Sequence, residues 1–194
     1  MRKRKSSKAS FVAGIIIIFA AALFITGFFM YINSIQEKSY FYVNRKNMGT
    51  KLLEEIESYD FTNNYPEDAA AVMDCYNRIN ELIYGGYLVD DTLLGQLLTL
   101  QRQLWDESLL EKNPYGEQLE KLVSDWKKLD RDKMTCQDIS AQSPQRYPDD
   151  EEITTVTVTW QVQNVGEIVW VYMLKEADDG KFKVFRFEGE ITPV

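Results

Sequence analysis

The sequence TVTVTWQVQNVGEIVWVYMLKEADDGKFKVFRFEG at residues 155–189 decides the fold. In its first part, apolar residues alternate with Thr and Gln, which is typical of an antiparallel strand with one buried and one solvated face. The apolar face consists of Val156, Val158, Trp160 and Val162. Asn164–Gly166 predicts a turn, and Ile168–Leu174, which is apolar on both faces, predicts a central strand.

A last strand follows the turn that Asp178–Gly180 predicts, because an Asp-Gly pair suits a loop with positive φ. This strand is KFKVFRFEGEI, residues 181–191. Further upstream, residues 135–140 predict a short first strand, and residues 144–152, with two prolines and the acidic run DDEE, predict a loop. The sequence therefore predicts three to four antiparallel strands.

Three helices are predicted before the strands from apolar residues at helical spacing. The first has Pro-Glu-Asp, residues 66–68, in its first turn and ends at Gly85–Gly86. The second begins after the candidate N-caps Asp90–Asp91 and ends, directly or through a short successor, before Asn113–Pro114. The third covers residues 116–130. Helices followed by a meander predict an α+β domain, with three helices packed on one face of a curved sheet.

The N-terminus has the features of a membrane anchor. Residues 1–10 contain five cations and no acid, and residues 11–32 are almost wholly apolar. A helix of this length spans about 33 Å, enough for a hydrocarbon core of about 30 Å. The alternative is a cleaved signal peptide, which has a shorter apolar region and a small-residue cleavage site that this run lacks. We therefore expect a retained transmembrane helix that places residues 11–32 in the lipid bilayer.

Charge predicts the orientation of this single-pass anchor. The cations are expected on the cytoplasmic side of the cell membrane. A juxtamembrane linker or helix at 33–62 and a domain at 63–194 then lie outside. Of the 22 Lys and Arg residues, five belong to the tail, which leaves 17 against 30 Asp and Glu and a net charge of −13. So acidic a surface repels phosphate backbones, and no nucleic-acid partner is expected.

Two alternatives are open for the cysteines, Cys75 and Cys136. A disulfide in an oxidising compartment closes a loop of about 60 residues and contributes about 4 kcal/mol in the chain-entropy model. Otherwise both are unpaired thiols, one packed in a helix and one in a strand.

The sequence lacks the residues of common catalytic and metal sites. It contains no histidine, which excludes the usual Ser or Cys triads, His-based zinc sites and the commonest base near neutral pH. The cysteines have no CxxC spacing, and no phosphate-binding glycine motif occurs. Asp74 and Asp138 are interpreted as surface or capping groups, and the acidic run at 149–152 lacks the spacing of a calcium loop. No enzyme activity, cofactor or metal is expected.

Two stretches resemble known families. The hairpin and final strand at 155–189 resemble the end of an NTF2-like domain, which implies a cone-shaped α+β fold with an interior that is either a pocket or filled. Residues 63–86 (NNYPEDAAAVMDCYNRINELIYGG) and 104–114 (LWDESLLEKNP) are similar to an uncharacterised family of single-pass membrane proteins of Gram-positive anaerobic bacteria. That resemblance implies a location at the bacterial cell envelope. Neither resemblance implies an activity.

Aromatic residues on the last strands form the candidate pocket or partner face. They are Trp160, Trp170, Tyr172, Phe185 and Phe187. An apolar concavity with a few polar groups predicts a small-ligand site, whereas an exposed aromatic face predicts association with a protein. We therefore expect a non-catalytic domain that binds an unknown ligand or protein. The alternatives are an NTF2-like isomerase or dehydratase with a buried carboxylate base, and a structural component of the envelope.

Overall fold

The computed structural model describes residues 47–87, 89–148 and 150–193, with the side chains of the last strand described as far as residue 189. These residues belong to one compact unit, Lys46–Val194. The predicted cytoplasmic tail and transmembrane helix, residues 1–10 and 11–32, lie outside the described residues. Within the described ranges, no helix is both long enough and apolar enough to cross a bilayer.

Five helices precede the sheet in the described part of the chain. They are α1 over residues 47–57, α2 (Ala69–Tyr84), α3 (Asp91–Arg102), α4 (Glu107–Lys112) and α5 (Tyr115–Asp132). The three predicted helices correspond to α2, α3 and α5, and α4 is the short successor that ends before Asn113–Pro114.

Aspartates fix the starts of three helices, because each carboxylate accepts a hydrogen bond from a backbone N–H that has no partner inside the helix. Asp68, Asp90 and Asp106 do so for α2, α3 and α4. The prediction that Asp68 belongs to the first turn is therefore wrong by one position. The Asp68 carboxylate caps the helix by accepting from the Ala71 amide at 2.8 Å.

The strands form one antiparallel five-stranded sheet, so the α+β class is confirmed and the predicted count of three to four strands is wrong. The strands are β1 (Cys136–Ala141), β2 (Gln145–Tyr147), β3 (Asp150–Val162), β4 (Gly166–Glu176) and β5 (Phe182–Pro193). The order is β1-β3-β4-β5, with β2 also pairing with β3, and β4 is central as predicted. The loop predicted at 144–152 is wrong for most of its length, because it contains β2 and the first residues of β3.

A β-bulge interrupts the alternation of β5. Met173 pairs with Arg186 and the next residue, Leu174, pairs with Val184, so Phe185 is an extra residue on β5. An extra residue shifts the side-chain alternation by one position. Val184 and Phe187 therefore lie on the same face although their numbers differ by three.

The main core lies between the helices and one face of the sheet, here called the inner face. β3 contributes Val156, Val158 and Trp160 to it, as the alternation predicts. Leu52, Ile56 and Phe61 are buried in the same core. Bidentate hydrogen bonds from the Arg78 guanidinium to Glu55, at 2.6 and 3.0 Å, join α1 to α2. Residues 47–62, the described part of the predicted linker or helix at 33–62, thus contribute to the packing of the compact unit.

Candidate ligand-binding site

A cavity of about 520 Å³ lies between α2, α3, α5 and the inner face of the sheet. Its volume falls within the range of about 300–1,000 Å³ that is usual for small-molecule sites. Seven aromatic residues line it: Tyr76, Tyr84, Trp105, Trp160, Trp170, Tyr172 and Phe187. Its size and its largely aromatic lining make it the candidate site for a small ligand.

The sheet provides one continuous wall of rings. The ring centroids of Trp160 and Trp170 are 6.1 Å apart, those of Trp170 and Phe187 6.1 Å, and those of Tyr172 and Phe187 5.8 Å. Gly189 pairs with Trp170 on the neighbouring strand. A Cβ atom on Gly189 would lie 2.4 Å from the Trp170 ring, so the absence of a side chain there allows the indole to lie against the strand.

Two tyrosines of α2 extend this wall onto the helices. Tyr76 and Tyr84 are eight positions apart, which places them on similar sides of the helix. The ring of Tyr76 lies 5.2 Å from that of Tyr172, and the ring of Tyr84 lies 5.2 Å from that of Trp160. The aromatic lining is therefore continuous from α2 to the sheet.

The indole N–H groups of the sheet wall are buried. Trp160 Nε1 and Trp170 Nε1 are inaccessible to solvent and have no hydrogen-bond partner among the described residues. Trp105 Nε1 is also without a partner at hydrogen-bond geometry, although it is close enough to the Tyr76 hydroxyl to affect its pKa. The sheet wall therefore presents ring surfaces, rather than hydrogen-bond donors, to a ligand.

Hydrogen-bonding groups enter the cavity from α2 and α3. Gln101 Nε2 donates to Asn80 Oδ1 at 2.8 Å, and both side chains line the cavity. Only 4% of Asn80 and 6% of Gln101 is exposed. The remaining atoms of the two amides, Asn80 Nδ2 and Gln101 Oε1, make no hydrogen bond to another described residue. This amide pair thus keeps unused N–H donors and unused oxygen lone pairs, because their mutual bond uses only one of each.

The tyrosine hydroxyls are uncharged at neutral pH. Burial raises the pKa of Tyr84 to about 12, with a further contribution from Asp125. Burial also raises the pKa of Tyr172 well above its ordinary value, and the neighbouring Tyr76 and Tyr84 add to that effect. Burial also raises the pKa of Tyr76. The inner part of the cavity is therefore polar in places but carries no charge.

Charged residues of the described lining lie on α5, at the mouth of the cavity. They are Lys121, Asp125 and Lys128. Lys128 Nζ lies 3.3 Å from Asp125 Oδ1, with 58% and 44% of the two side chains exposed. An ion pair this exposed contributes little. Lys121 is exposed and forms no ion pair with a described residue.

Four of the five aromatic residues singled out from the sequence line the cavity, namely Trp160, Trp170, Tyr172 and Phe187. Phe185 does not, because the β5 bulge places it on the other side of the sheet from Phe187. There its ring centroid lies 5.9 Å from Lys175 Nζ. The grouping of Phe185 with the other four aromatics is therefore corrected.

Both cysteines are free thiols in the structure. Cys75 is half-buried in α2, and Cys136 is buried in β1, where it lines the cavity. Asp74 and Asp138, interpreted from the sequence as surface or capping groups, are exposed and lie outside the cavity lining. Among the residues that the structure describes, no three Cys, Asp or Glu side chains are close enough to hold a metal ion.

Asn80 and Gln101 were missed by the sequence analysis, although a signal was present. Gln101 lies three and four positions after Leu98 and Leu97, and Asn80 four after Tyr76, so both interrupt apolar helix faces. A polar residue at such a position is buried and needs a partner. The sequence analysis singled out neither Tyr76 nor Tyr84 as a site residue.

Comparison with known proteins gives a family and no nearer relative. A search of curated proteins and a search of solved structures find no match to this chain. A family model, DUF6715 (domain of unknown function), matches residues 1–187. This match extends over far more than half of the sequence, and the chain therefore belongs to the DUF6715 family.

Proposed function

We propose that this protein is a membrane-anchored, extracytoplasmic and non-catalytic domain that binds a small molecule in the cavity between its helices and its sheet. The observation that supports the proposal most is the cavity itself. About 520 Å³ of space is lined by seven aromatic residues and a buried amide pair with spare hydrogen-bonding atoms. Such a lining offers a small ligand both apolar contact and hydrogen-bonding groups.

The exposed surface lacks a large apolar patch, which favours a small ligand over a protein partner. The large apolar residues that the described surface exposes are Met48, Tyr115 and Phe187, and they are spread over α1, α5 and β5. On the outer face of the sheet, Val171, Met173 and Phe185 are half-buried. Protein-binding surfaces present larger contiguous apolar patches than this.

A catalytic role is less well supported. An isomerase or dehydratase of the carboxylate type needs a base inside the cavity, with a pKa that its surroundings adjust. Asp125 is the carboxylate in the described lining, and it lies at the mouth. Its side chain is 44% exposed and forms an ion pair with Lys128. The sequence contains no histidine that could replace it.

We further propose an NTF2-like arrangement and a location at the envelope of a Gram-positive bacterium. Helices on the inner face of an antiparallel sheet, with a cavity between them, support the first part. The almost wholly apolar run of 22 residues at 11–32 and the five cations before it support the second. This arrangement would expose the cavity to molecules outside the cell.

The test is to identify small molecules that copurify with the full chain from its native membrane. Val162 lines the cavity, so Val162→Trp fills it, whereas Val169→Trp adds the same ring to the outer face of β4 as a control. After denaturation, mass spectrometry should find a compound with the wild type and the control but not with Val162→Trp. Equal amounts from all three folded proteins, or no compound from any, would contradict the proposal.

A further inference from the structure

We infer that the ligand is a planar, uncharged molecule with a cis-amide edge, that is, an N–H donor beside a C=O acceptor, as in lactams, imides and oxo-substituted heterocycles. This inference rests on the proposed function, because it assumes that the cavity binds a small molecule. Three features of the cavity lead to it: the chemistry of the amide pair, the shape of the walls, and the position of the charges.

The amide pair sets the hydrogen-bonding pattern. Their mutual hydrogen bond of 2.8 Å uses one N–H of Gln101 Nε2 and one lone pair of Asn80 Oδ1. Asn80 Nδ2 can still donate and Gln101 Oε1 can still accept. A ligand that uses both kinds of group must offer an acceptor and a donor. A cis-amide has both on one edge, whereas a carboxylate or an ether only accepts and an ammonium group only donates.

The aromatic walls set the shape. Rings on the sheet and on α2 line the space and contact one another, with centroid distances of 5.2 Å for Tyr84 and Trp160 and for Tyr76 and Tyr172. Aromatic rings pair favourably with other flat π-systems in stacked or edge-to-face geometry. A flat ring system therefore fits better than a branched aliphatic body.

The absence of charge beside the amide pair excludes an ion at this depth. The nearest titratable groups that line the inner cavity are the hydroxyls of Tyr76, Tyr84 and Tyr172 and the Cys136 thiol, and all are neutral at pH 7. The charged side chains lie at the mouth on α5. An ionic group beside Asn80 would lose its hydration without gaining a counter-ion.

The experiment compares 2-quinolone with N-methyl-2-quinolone, which has the same ring and carbonyl but no N–H donor. Binding to the full chain in lipid nanodiscs is measured by quenching of tryptophan fluorescence, since Trp105, Trp160 and Trp170 all line the cavity. The affinity of quinoline-2-carboxylate is measured by its competition with 2-quinolone. We expect 2-quinolone to bind about tenfold more tightly than either analogue, as the loss of one hydrogen bond to a neutral group predicts.

The amide pair is tested by Asn80→Leu/Gln101→Leu, which removes both amides together and leaves no orphaned partner. Gln96→Leu is the matched control on an exposed position of α3. The preference for 2-quinolone should fall to within about twofold in the double variant and stay near tenfold in the control. If the double variant fails to fold, the preference for 2-quinolone is measured in Gln101→Leu alone, where it should also fall.

The outcomes separate this inference from the proposed function. Equal or tighter binding of the N-methyl compound or the carboxylate, with quenching that Val162→Trp abolishes, would overturn the cis-amide inference and leave ligand binding in the cavity intact. A preference that survives removal of both amides would overturn it too. If no quinoline probe binds in the cavity, the cis-amide inference fails, and the copurification experiment decides the proposed function separately.

Discussion

The indole of Trp170 lies against Gly189, its partner across β4 and β5, so closely that a Cβ atom at residue 189 would be 2.4 Å from the ring. This contact positions the Trp170 ring on the wall of the cavity. We predict that Gly189→Ala displaces the ring and lowers the free energy of unfolding by about 1–3 kcal/mol, the usual cost of overpacking. Urea denaturation measures the change, and a shift in tryptophan emission reports the displaced ring.

Gly116→Ala is the control for this substitution. Nothing lies within 4 Å of a Cβ atom built on Gly116, which is in the first turn of α5. Alanine there should leave stability unchanged or raise it by about 0.4–1 kcal/mol. If both variants have the same stability, the Trp170–Gly189 contact does not have the role assigned to it.

The bulge of β5 leads to a second prediction, which concerns two phenylalanines. Phe187→Ala should weaken binding of a neutral aromatic probe such as dansylamide by about tenfold, because it removes a ring from the cavity wall, where aromatic contacts contribute about 0.5–1.5 kcal/mol. Phe185→Ala should leave the affinity unchanged, since Phe185 lies on the other side of the bulge. The measurement is dansylamide emission excited through tryptophan. A loss of affinity in Phe185→Ala that equals the loss in Phe187→Ala would contradict the register.

Asp106 should make stability depend on pH. Burial tends to raise the pKa of Asp106, but hydrogen bonds from the Ser108 side chain and amide and from Lys175 outweigh it and lower the pKa. A carboxyl whose pKa is lower in the folded state stabilises the fold above its unfolded pKa of about 3.9, and this stability is lost as the pH falls through the folded value.

Asp106→Ala should therefore cost about 0.5–2 kcal/mol at pH 7, as the loss of an N-cap does. The difference from the wild type should shrink below about pH 4, where the wild-type carboxyl also becomes protonated. Denaturation at a series of pH values measures it, with the exposed Glu111→Gln on the same helix as the control. If the difference in unfolding free energy between the wild type and Asp106→Ala grows as the pH falls, the predicted direction of the Asp106 pKa shift is wrong.

The two thiols should differ in reactivity. Burial raises the pKa of Cys75, and it raises the pKa of Cys136 to about 12. Since the thiolate is the reactive form, iodoacetamide at pH 8 should modify the folded protein slowly at Cys75 and still more slowly at Cys136. Mass spectrometry after timed quenching locates the label. If no free thiol is found in urea without a reductant, the cysteines form the disulfide that the sequence analysis left open.

The strands illustrate what the sequence predicts well and what it does not. β3 and β4 follow from alternation and from the central apolar run, because burial on one or both faces leaves a direct pattern in the residues. β2 is three residues long, Gln145–Tyr147, too short to show a period. The bulge at Phe185 depends on pairing with β4, so no periodicity within β5 alone reveals it.

The candidate site was predictable only in part for a similar reason. The sheet aromatics lie close together in the sequence and were found there. Asn80 and Gln101 are 21 positions apart, and their hydrogen bond exists only because α2 and α3 pack against each other. A buried amide on an apolar helix face indicates that a partner exists. It does not say which residue the partner is, or that a cavity lies beside it.

The most direct test of the central claim is the stoichiometry of dansylamide binding to the full chain in nanodiscs, read through energy transfer from tryptophan. One saturable site per chain in the wild type and in Val169→Trp, and none in a folded Val162→Trp, is the result that a ligand-binding cavity predicts. Saturable binding that is unchanged in Val162→Trp, or no saturable binding in the wild type, would contradict it.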